Sequence, residues 1–280
     1  MRKISARLIT DTVAWLCIQA NINLRRDVYL ALKKSYGHER NSRARRILKS
    51  LLDNADCARR LKLAICQDTG LPYVFVELGQ KVQITGGDFV QAINKGIEQG
   101  YKKGKLRNSI IADPLRRNST PGYAPGVIHI EMVRGSHLKL SVLPKGFGSE
   151  NKTALKLFNP TTGVDALSDF IVQKVKDAGA NACPPFVIGV GIGGGADQAM
   201  SLAKMALLRR IDKRNPDGLL AKLERELQKK INQLGIGPSG LGGETTCLGV
   251  NILTRPTHIA GLPVAVNISC HALRSAAKRL

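Results

Sequence analysis

Four short segments place thiols beside groups that could assist them chemically. In Cys66-Gln67-Asp68-Thr69-Gly70 a thiol stands next to an amide, a carboxylate and a hydroxyl on what reads as a single turn, a combination that suits a nucleophile or a metal ligand. In Asn181-Ala182-Cys183-Pro184-Pro185 two prolines stiffen the chain just after a thiol, and rigid turns suit ligands. Cys270 follows a proline-bounded strand from Leu262, in Asn267-Ile268-Ser269-Cys270-His271-Ala272-Leu273-Arg274, and Cys247, in Gly242-Gly243-Glu244-Thr245-Thr246-Cys247, competes with it as a ligand. With Cys17 and Cys57 there are six cysteines, and spacing alone selects no set among them. A chain of this length without a secretion signal needs no disulfide framework, so reduced thiols or metal ligands are expected.

A fifth segment, Phe186 to Ala196, is an apolar run entering a glycine-rich turn that opens a helix near Asp197. Bare backbone N–H groups in such a turn can cradle an anion. No second strand ending in an acid follows at the distance a dinucleotide site requires, because Asp212 lies at the end of the helix itself. The turn therefore reads as a tight strand-to-helix connection that uses glycine's freedom.

The elements that must position these segments follow from periodicity. From Ile4 to about Leu63 apolar residues recur at helical spacing, with a break at Gly37 and with Asn41 and Ser42 as caps for the next helix. Arg43, Arg45, Arg46, Arg59, Arg60 and Lys62 read as its wet face. Beyond residue 66 come short apolar runs bounded by Gly and Pro, at Tyr73 to Leu78, Val127 to Val133, Leu138 to Leu143, Cys247 to Leu253 and Leu262 to Ser269, which read as strands. Helices are expected at Phe89 to Gln99, Asp165 to Asp177, Gln198 to Ile211 and Leu219 to Gly235. The fold class is mixed α and β, α+β or α/β. A helical N-terminal lobe, residues 1–65, leads into a strand and helix body, residues 66–280, the two forming one continuous domain.

The formal net charge of +22 admits a nucleic-acid surface or a protein that attracts small anions. Only 4% of residues are aromatic, so stacking platforms are scarce, and no nucleic-acid motif occurs. The longest apolar stretch near the N-terminus, Val13 to Ile18, is shorter than a signal-peptide core and far shorter than a membrane span. A soluble cytoplasmic protein is expected. Arg2, Lys3 and Arg7 ahead of the first acid, Asp11, make a mitochondrial presequence the alternative.

Taken with LRNSIIADP at Leu106 to Pro114, KGFGSEN at Lys145 to Asn151, IGVGIGGGADQAM and IGPSGLGGETTCLGVNI, these segments resemble, in order and over essentially the whole chain, the alpha subunit of the two-subunit class I fumarases and L-tartrate dehydratases. The resemblance implies a 4Fe-4S cluster held by Cys66, Cys183 and Cys270, with the fourth iron free of protein ligands. Cys247 then stands where many relatives carry alanine and reads as a small buried residue, and Cys17 and Cys57 read as inert core or surface thiols. It further implies Gln67 and Asp68 beside a bound dicarboxylate, Arg107 gripping a carboxylate, and the backbone of Gly148 against it. The resemblance also implies a part for Asp68 in proton handling at the leaving oxygen. His258, twelve residues before Cys270, matches a family histidine that reaches an active site across a subunit contact.

Three positions depart from the family pattern: His271 replaces a tryptophan, Gly249 an aspartate, and Phe147 a smaller residue. Single-chain relatives carry a second half with further basic residues and the carbon-acid base. A beta subunit and a heterotetramer are therefore implied, with fumarate to L-malate as the reaction and L-tartrate to oxaloacetate as the alternative. A reading of another class is a basic nucleic-acid-binding or scaffold protein that kept the fold and lost catalysis. It requires binding that weakens steeply with salt and no need of the three cysteines.

Overall fold

The computed structural model describes all residues, Met1–Leu280. The elements run β1 (Arg2–Ser5), α1 (Ala6–Ile22), α2 (Arg26–His38), α3 (Ser42–Leu61), β2 (Leu71–Gly79), β3 (Val82–Thr85), α4 (Phe89–Lys103), β4 (Val127–Val133), β5 (Leu138–Lys145), α5 (Phe147–Glu150), β6 (Ala154–Phe158), α6 (Val164–Ala178), β7 (Phe186–Gly193), α7 (Ala196–Leu208), α8 (Gly218–Asn232), β8 (Cys247–Arg255), β9 (Leu262–Ser269) and β10 (Ala276–Arg279). Helices and sheets of mixed strand direction confirm the mixed α and β class. No helix is long and apolar enough to cross a membrane.

Two compact units interleave along the chain. Unit 1 takes Met1–Arg25, Ala55–Phe147 and Arg274–Leu280; unit 2 takes Arg26–Asn54 and Gly148–Leu273. The N-terminal helical stretch thus serves both, α1 in unit 1 and α2 in unit 2, with α3 shared.

In unit 1 the sheet runs β10-β5-β2-β4, with β2 parallel to β4 and antiparallel to β5, while β1 and β3 form a separate parallel pair. Its core joins Val74 and Val76 of β2 and Leu138, Leu140 and Val142 of β5 to Ile9, Val13 and Leu16 of α1 and Ile93 and Ile97 of α4. These residues recur every three or four places on the helices and at alternate places on the strands, so each element turns one apolar face inward. The tail returns here: β10 pairs antiparallel with β5, and Leu280 and Leu138 exchange backbone hydrogen bonds at 2.7 and 3.3 Å.

In unit 2 the sheet runs β6-β9-β7-β8, with β7 parallel to β8 and antiparallel to β9. Its core packs Ile188, Val190, Val250, Ile252, Val264, Val266 and Ile268 against Ile171 and Val175 of α6 and Leu227 and Ile231 of α8. A Cβ on Gly189 would lie 2.0 Å from the Ala203 carbonyl oxygen and one on Gly191 2.1 Å from that of Ala199. The glycines of β7 therefore do more than make a turn: they let α7 lie directly on the strand.

One boundary is corrected. α2 passes through Gly37 and stops at His38. A single glycine costs a helix only about 1 kcal/mol, and the stop is made by Glu39, 3% exposed, whose carboxylate accepts from the N–H of Asn41 at 3.0 Å and of Glu244 at 2.9 Å. The cap beyond it is as expected: Asn41 Oδ1 accepts from Arg43 and Ala44 N–H at 3.0 and 3.1 Å. All six basic residues read as the wet face of α3 and its end are exposed.

Candidate active site

In unit 1 the segment Ile65–Gln67 bends between α3 and β2, and side chains from distant parts of the unit fix residues 68–70 behind it. Asp68 is half-buried; its Oδ1 accepts from Gly70 N–H at 3.0 Å and its Oδ2 from Phe147 N–H at 2.8 Å. Thr69, buried, accepts through Oγ1 from the Arg107 N–H at 3.0 Å, so the segment carrying Arg107 is tied directly to this turn. The hydroxyl of Tyr101 lies 3.0 Å from the carbonyl oxygens of both Thr69 and Gly70, and its burial pushes its pKa well above the usual phenol range. Cys66 is half-buried with Sγ 3.3 Å from Gln67 Oε1, and Gln67 and Arg107 are exposed. Unit 1 thus sets a thiol, an amide and a carboxylate, those of Cys66, Gln67 and Asp68, on one stretch and ties the backbone of Arg107 to it.

In unit 2 Cys183 closes a short 3-10 turn, Gly179–Ala182, and takes the left-handed conformation, φ 56° and ψ 68°. For a side-chain-bearing residue this costs about 1–2 kcal/mol, and such local strain gathers at functional positions. Main-chain bonds hold it there: Cys183 N–H donates to Ala180 O at 3.1 Å, and Ser239 N–H to Pro184 O at 2.9 Å. The N–H of His271 donates to the Cys183 carbonyl at 3.2 Å, with His271 Nδ1 also 3.2 Å from that oxygen. This places the chain at Cys270 alongside the Cys183 turn. Neither unit by itself gathers three His, Cys, Asp or Glu side chains into a ready metal site.

The environments of the six cysteines divide them, and none is in a disulfide. Cys17 is sealed in α1 at 0% exposure and Cys247 in β8 at 1%, and burial pushes both thiols up to about 12. A thiol so reluctant to ionise is a poor ligand. Cys247 instead donates to the Gly249 carbonyl at 3.3 Å inside the unit 2 core, the small-core-residue role expected of it. Cys57 is half-buried towards the C-terminal end of α3. Cys66 and Cys270 are half-buried and Cys183 is exposed, all in irregular backbone. Accessible thiols on non-repeating chain are the donors an iron-sulfur cluster requires, so the set Cys66, Cys183 and Cys270 fits the group by its chemistry.

His258 is exposed in the turn between β8 and β9, its Nδ1 accepting from Ala260 N–H at 3.1 Å, which leaves Nε2 as the protonated nitrogen of the neutral ring. That turn docks on the glycine-rich one: Thr257 Oγ1 donates to Gly194 O at 3.0 Å and Gly194 N–H to Pro256 O at 3.1 Å. β9 runs between His258 and Cys270, and its eight residues at about 3.3 Å each separate them by roughly 25 Å. His258 and Cys270 are therefore not brought together within the chain. Gly148 is exposed, with nothing closer than the Asn181 carbonyl oxygen, 3.8 Å from where a Cβ would stand.

The departures have local explanations. A Cβ on Gly249 would meet Ile211 Cβ at 2.9 Å, so an aspartate has no room there. Phe147 uses its backbone N–H on Asp68 while its ring is 47% exposed, so its bulk displaces nothing inside unit 1. Sequence reasoning passed over Arg274, a buried arginine whose Nη2 donates to the Asp68 carbonyl at 2.8 Å. One basic residue among 43 gives no signal of burial. The Lys204–Glu150 pair of unit 2, 2.6 Å and almost fully buried, was missed likewise; Asn267 Nδ2 donates to the other Glu150 oxygen at 3.0 Å.

The sequence matches the family described as fumarate hydratase (Fumerase) over residues 10–279. It is 38% identical over 277 residues to a protein of Methanocaldococcus jannaschii named "Putative L(+)-tartrate dehydratase subunit alpha", covering 97% of each chain. It is 29% identical over 275 residues to the L(+)-tartrate dehydratase subunit alpha of Escherichia coli strain UTI89, covering 97% of this chain and 90% of that one. With the same subunit of strain K12 the identity is 29% over 269 residues.

Proposed function

This chain belongs to the fumarate hydratase (Fumerase) family and is a hydro-lyase subunit, and we propose that, paired with a beta subunit in a heterotetramer, it adds water reversibly to fumarate to give L-malate. The observation that carries the reading is the turn at Cys66, where a half-buried thiol stands beside an orientated carboxylate and the backbone of Arg107 is tied to the same stretch of unit 1.

Cys66, Cys183 and Cys270 would hold a 4Fe-4S cluster. When bound, such a cluster supplies a Lewis acid at the iron that has no thiolate. The chain's own residues do the rest. Arg107 meets a substrate carboxylate with two parallel N–H donors, which an exposed guanidinium without an internal partner is free to do. Gln67 offers an amide to the same ligand, and the bare backbone of Gly148 allows close approach. Asp68 handles the proton at the hydroxyl oxygen that leaves or enters. Each of its oxygens spends one lone pair on a backbone N–H, which sets its direction and keeps a second lone pair for substrate. His258 serves through Nε2 at a site outside its own chain, and the base that takes the carbon-bound proton belongs to the beta subunit.

L-tartrate is the second reading, favoured by the names of the relatives. Anaerobic co-expression with the partner, followed by iron and sulfide analysis and assays on L-malate and L-tartrate, separates the two. The expected result is a cluster-loaded complex that turns over L-malate faster than L-tartrate, with the isolated chain binding a cluster and dehydrating little. The reverse preference moves the assignment to tartrate, and substantial activity from the isolated chain overturns the need for a partner. Salt-sensitive RNA or DNA binding with indifference to loss of the three cysteines would replace the enzyme reading altogether.

A further inference from the structure

Arg274 is 2% exposed and enters no ion pair. A buried charge without a countercharge is costly, and a methionine of similar bulk would fill the space without that cost. What the guanidinium does instead is bridge two stretches of unit 1. Its Nη1 donates to Asn21 Oδ1 at 3.2 Å at the end of α1, its Nη2 donates to the Asp68 carbonyl at 2.8 Å, and its Nε is buried with no partner. Asn21 is itself engaged on both sides, with Nδ2 donating to Cys17 O at 3.0 Å and its backbone carbonyl accepting from Ile65 N–H at 3.0 Å, one residue before Cys66.

Asp68 is consequently held at three atoms. Gly70 and Phe147 amides fix the two carboxylate oxygens, and Arg274 fixes the peptide from which the carboxylate projects. Tyr101 continues the support, so that three consecutive carbonyls, of Asp68, Thr69 and Gly70, are gripped by buried side chains. Gly146 shows how closely this is packed: a Cβ there would lie 3.1 Å from Asp68 Oδ2 and 3.7 Å from Arg274 Nη2.

We propose that Arg274 is a positioning residue of the hydro-lyase site: it clamps the Asp68 peptide against α1 and so sets the direction of the Asp68 carboxylate. The proposal rests on the hydro-lyase reading for its catalytic consequence, while the clamp itself can be read without turnover. A group misplaced by about an ångström can cost on the order of a hundredfold in rate, so the effect belongs in kcat.

The test uses Arg274→Met and Arg274→Lys in the co-expressed complex. Arg274→Met is expected to lower kcat by at least about tenfold with KM changed less than about threefold, since the arginine acts on a reacting group and not on substrate binding. Amide hydrogen exchange at Gly70 and Phe147, the two donors to Asp68, should accelerate while Ile93 and Ile97 in α4 stay slow. Arg274→Lys, which keeps a cation able to reach the Asp68 carbonyl, should recover much of both. An unchanged kcat in Arg274→Met, or exchange that accelerates evenly through unit 1 including α4, overturns the proposal, the second by showing a general role in stability. If Arg274→Met does not fold, the kcat and exchange of Arg274→Gln, which stays polar but cannot span Asn21 and the Asp68 carbonyl together, decide: faster exchange confined to Gly70 and Phe147 with lowered kcat supports the clamp, and wild-type values overturn it. A complex inactive on both acids without any substitution would sink the hydro-lyase reading, and the exchange pattern would still decide the clamp.

Discussion

The turn at Cys66 in unit 1 and the turn at Cys183 in unit 2 present a thiol by different means. Just after Cys66 the backbone of residues 68–70 is held by two side chains from far along the chain, Tyr101 and Arg274, and by the carboxylate of Asp68, and no residue from Cys66 to Thr69 has a positive φ. At Cys183 main-chain bonds from Cys183 to Ala180, from Ser239 to Pro184 and from His271 to Cys183 hold the turn, with His271 Nδ1 also against the Cys183 carbonyl, and the cysteine itself takes the left-handed conformation. The first arrangement spreads its specification over several residues, so single substitutions should give graded losses. The second concentrates it in backbone geometry, where strain is kept in place by the surrounding main-chain bonds.

The largest expected effect breaks both turns. Cys66→Ser, Cys183→Ser or Cys270→Ser should each abolish bound iron and sulfide together with activity, whereas Cys247→Ala should keep all three; metal analysis of the anaerobic complexes checks this. Iron lost in Cys247→Ala and kept in Cys270→Ser would reverse the ligand assignment.

A smaller loss separates ligand from chemistry within unit 1. Asp68→Asn preserves shape but turns one acceptor oxygen into a donor, setting it against the N–H of either Gly70 or Phe147. We expect kcat to fall about a hundredfold or more with iron content unchanged, measured by steady-state kinetics beside metal analysis. A drop in iron instead would make Asp68 a structural support of the cluster.

The smallest effect contrasts the sealed thiols, one in each unit. Burial raises Cys17 and Cys247 from 9.0 to about 12, so the folded chain holds these protons more tightly than the unfolded chain. The stability this contributes is whole below about pH 9 and drains away as pH rises towards 12. Denaturant midpoints between about pH 8 and 11 should therefore decline, and Cys247→Ala should flatten the part belonging to unit 2. An identical slope in the variant would mean that the alkaline loss arises elsewhere.

Much of the fold was legible because its elements carry strong periodic patterns. β4 and β9 begin and end where the apolar runs do, and α4, α6, α7 and α8 agree to within a few residues. β6 and β10 escaped because they are edge strands: Ala-Ala-Lys-Arg has no strand character of its own and is extended because β5 offers it a ladder. The stop of α2 depended on a carboxylate caught by Glu244, more than two hundred residues away, which no local pattern records. The site divided in the same way. Which residue types cluster at Cys66 was plain on the chain, but preferring Cys270 to Cys247 needed resemblance, because the burial that sets them apart, Cys247 sealed in β8 and Cys270 half-buried, is not written in the local sequence. Arg274 and the Lys204–Glu150 pair stayed invisible because burial of a charge is a tertiary event.

The separation that β9 imposes between His258 and Cys270 has a genetic consequence. If His258 completes the site of a second chain, its loss and the loss of a cluster ligand fall on different sites of a paired assembly. Mixing His258→Asn chains with Cys270→Ser chains would then create, in each mixed pair, one site made wholly of intact parts and one damaged twice. Random pairing would return about a quarter of full activity from two inactive parents. Parents that stay inactive when mixed would put His258 to work in its own chain or nowhere.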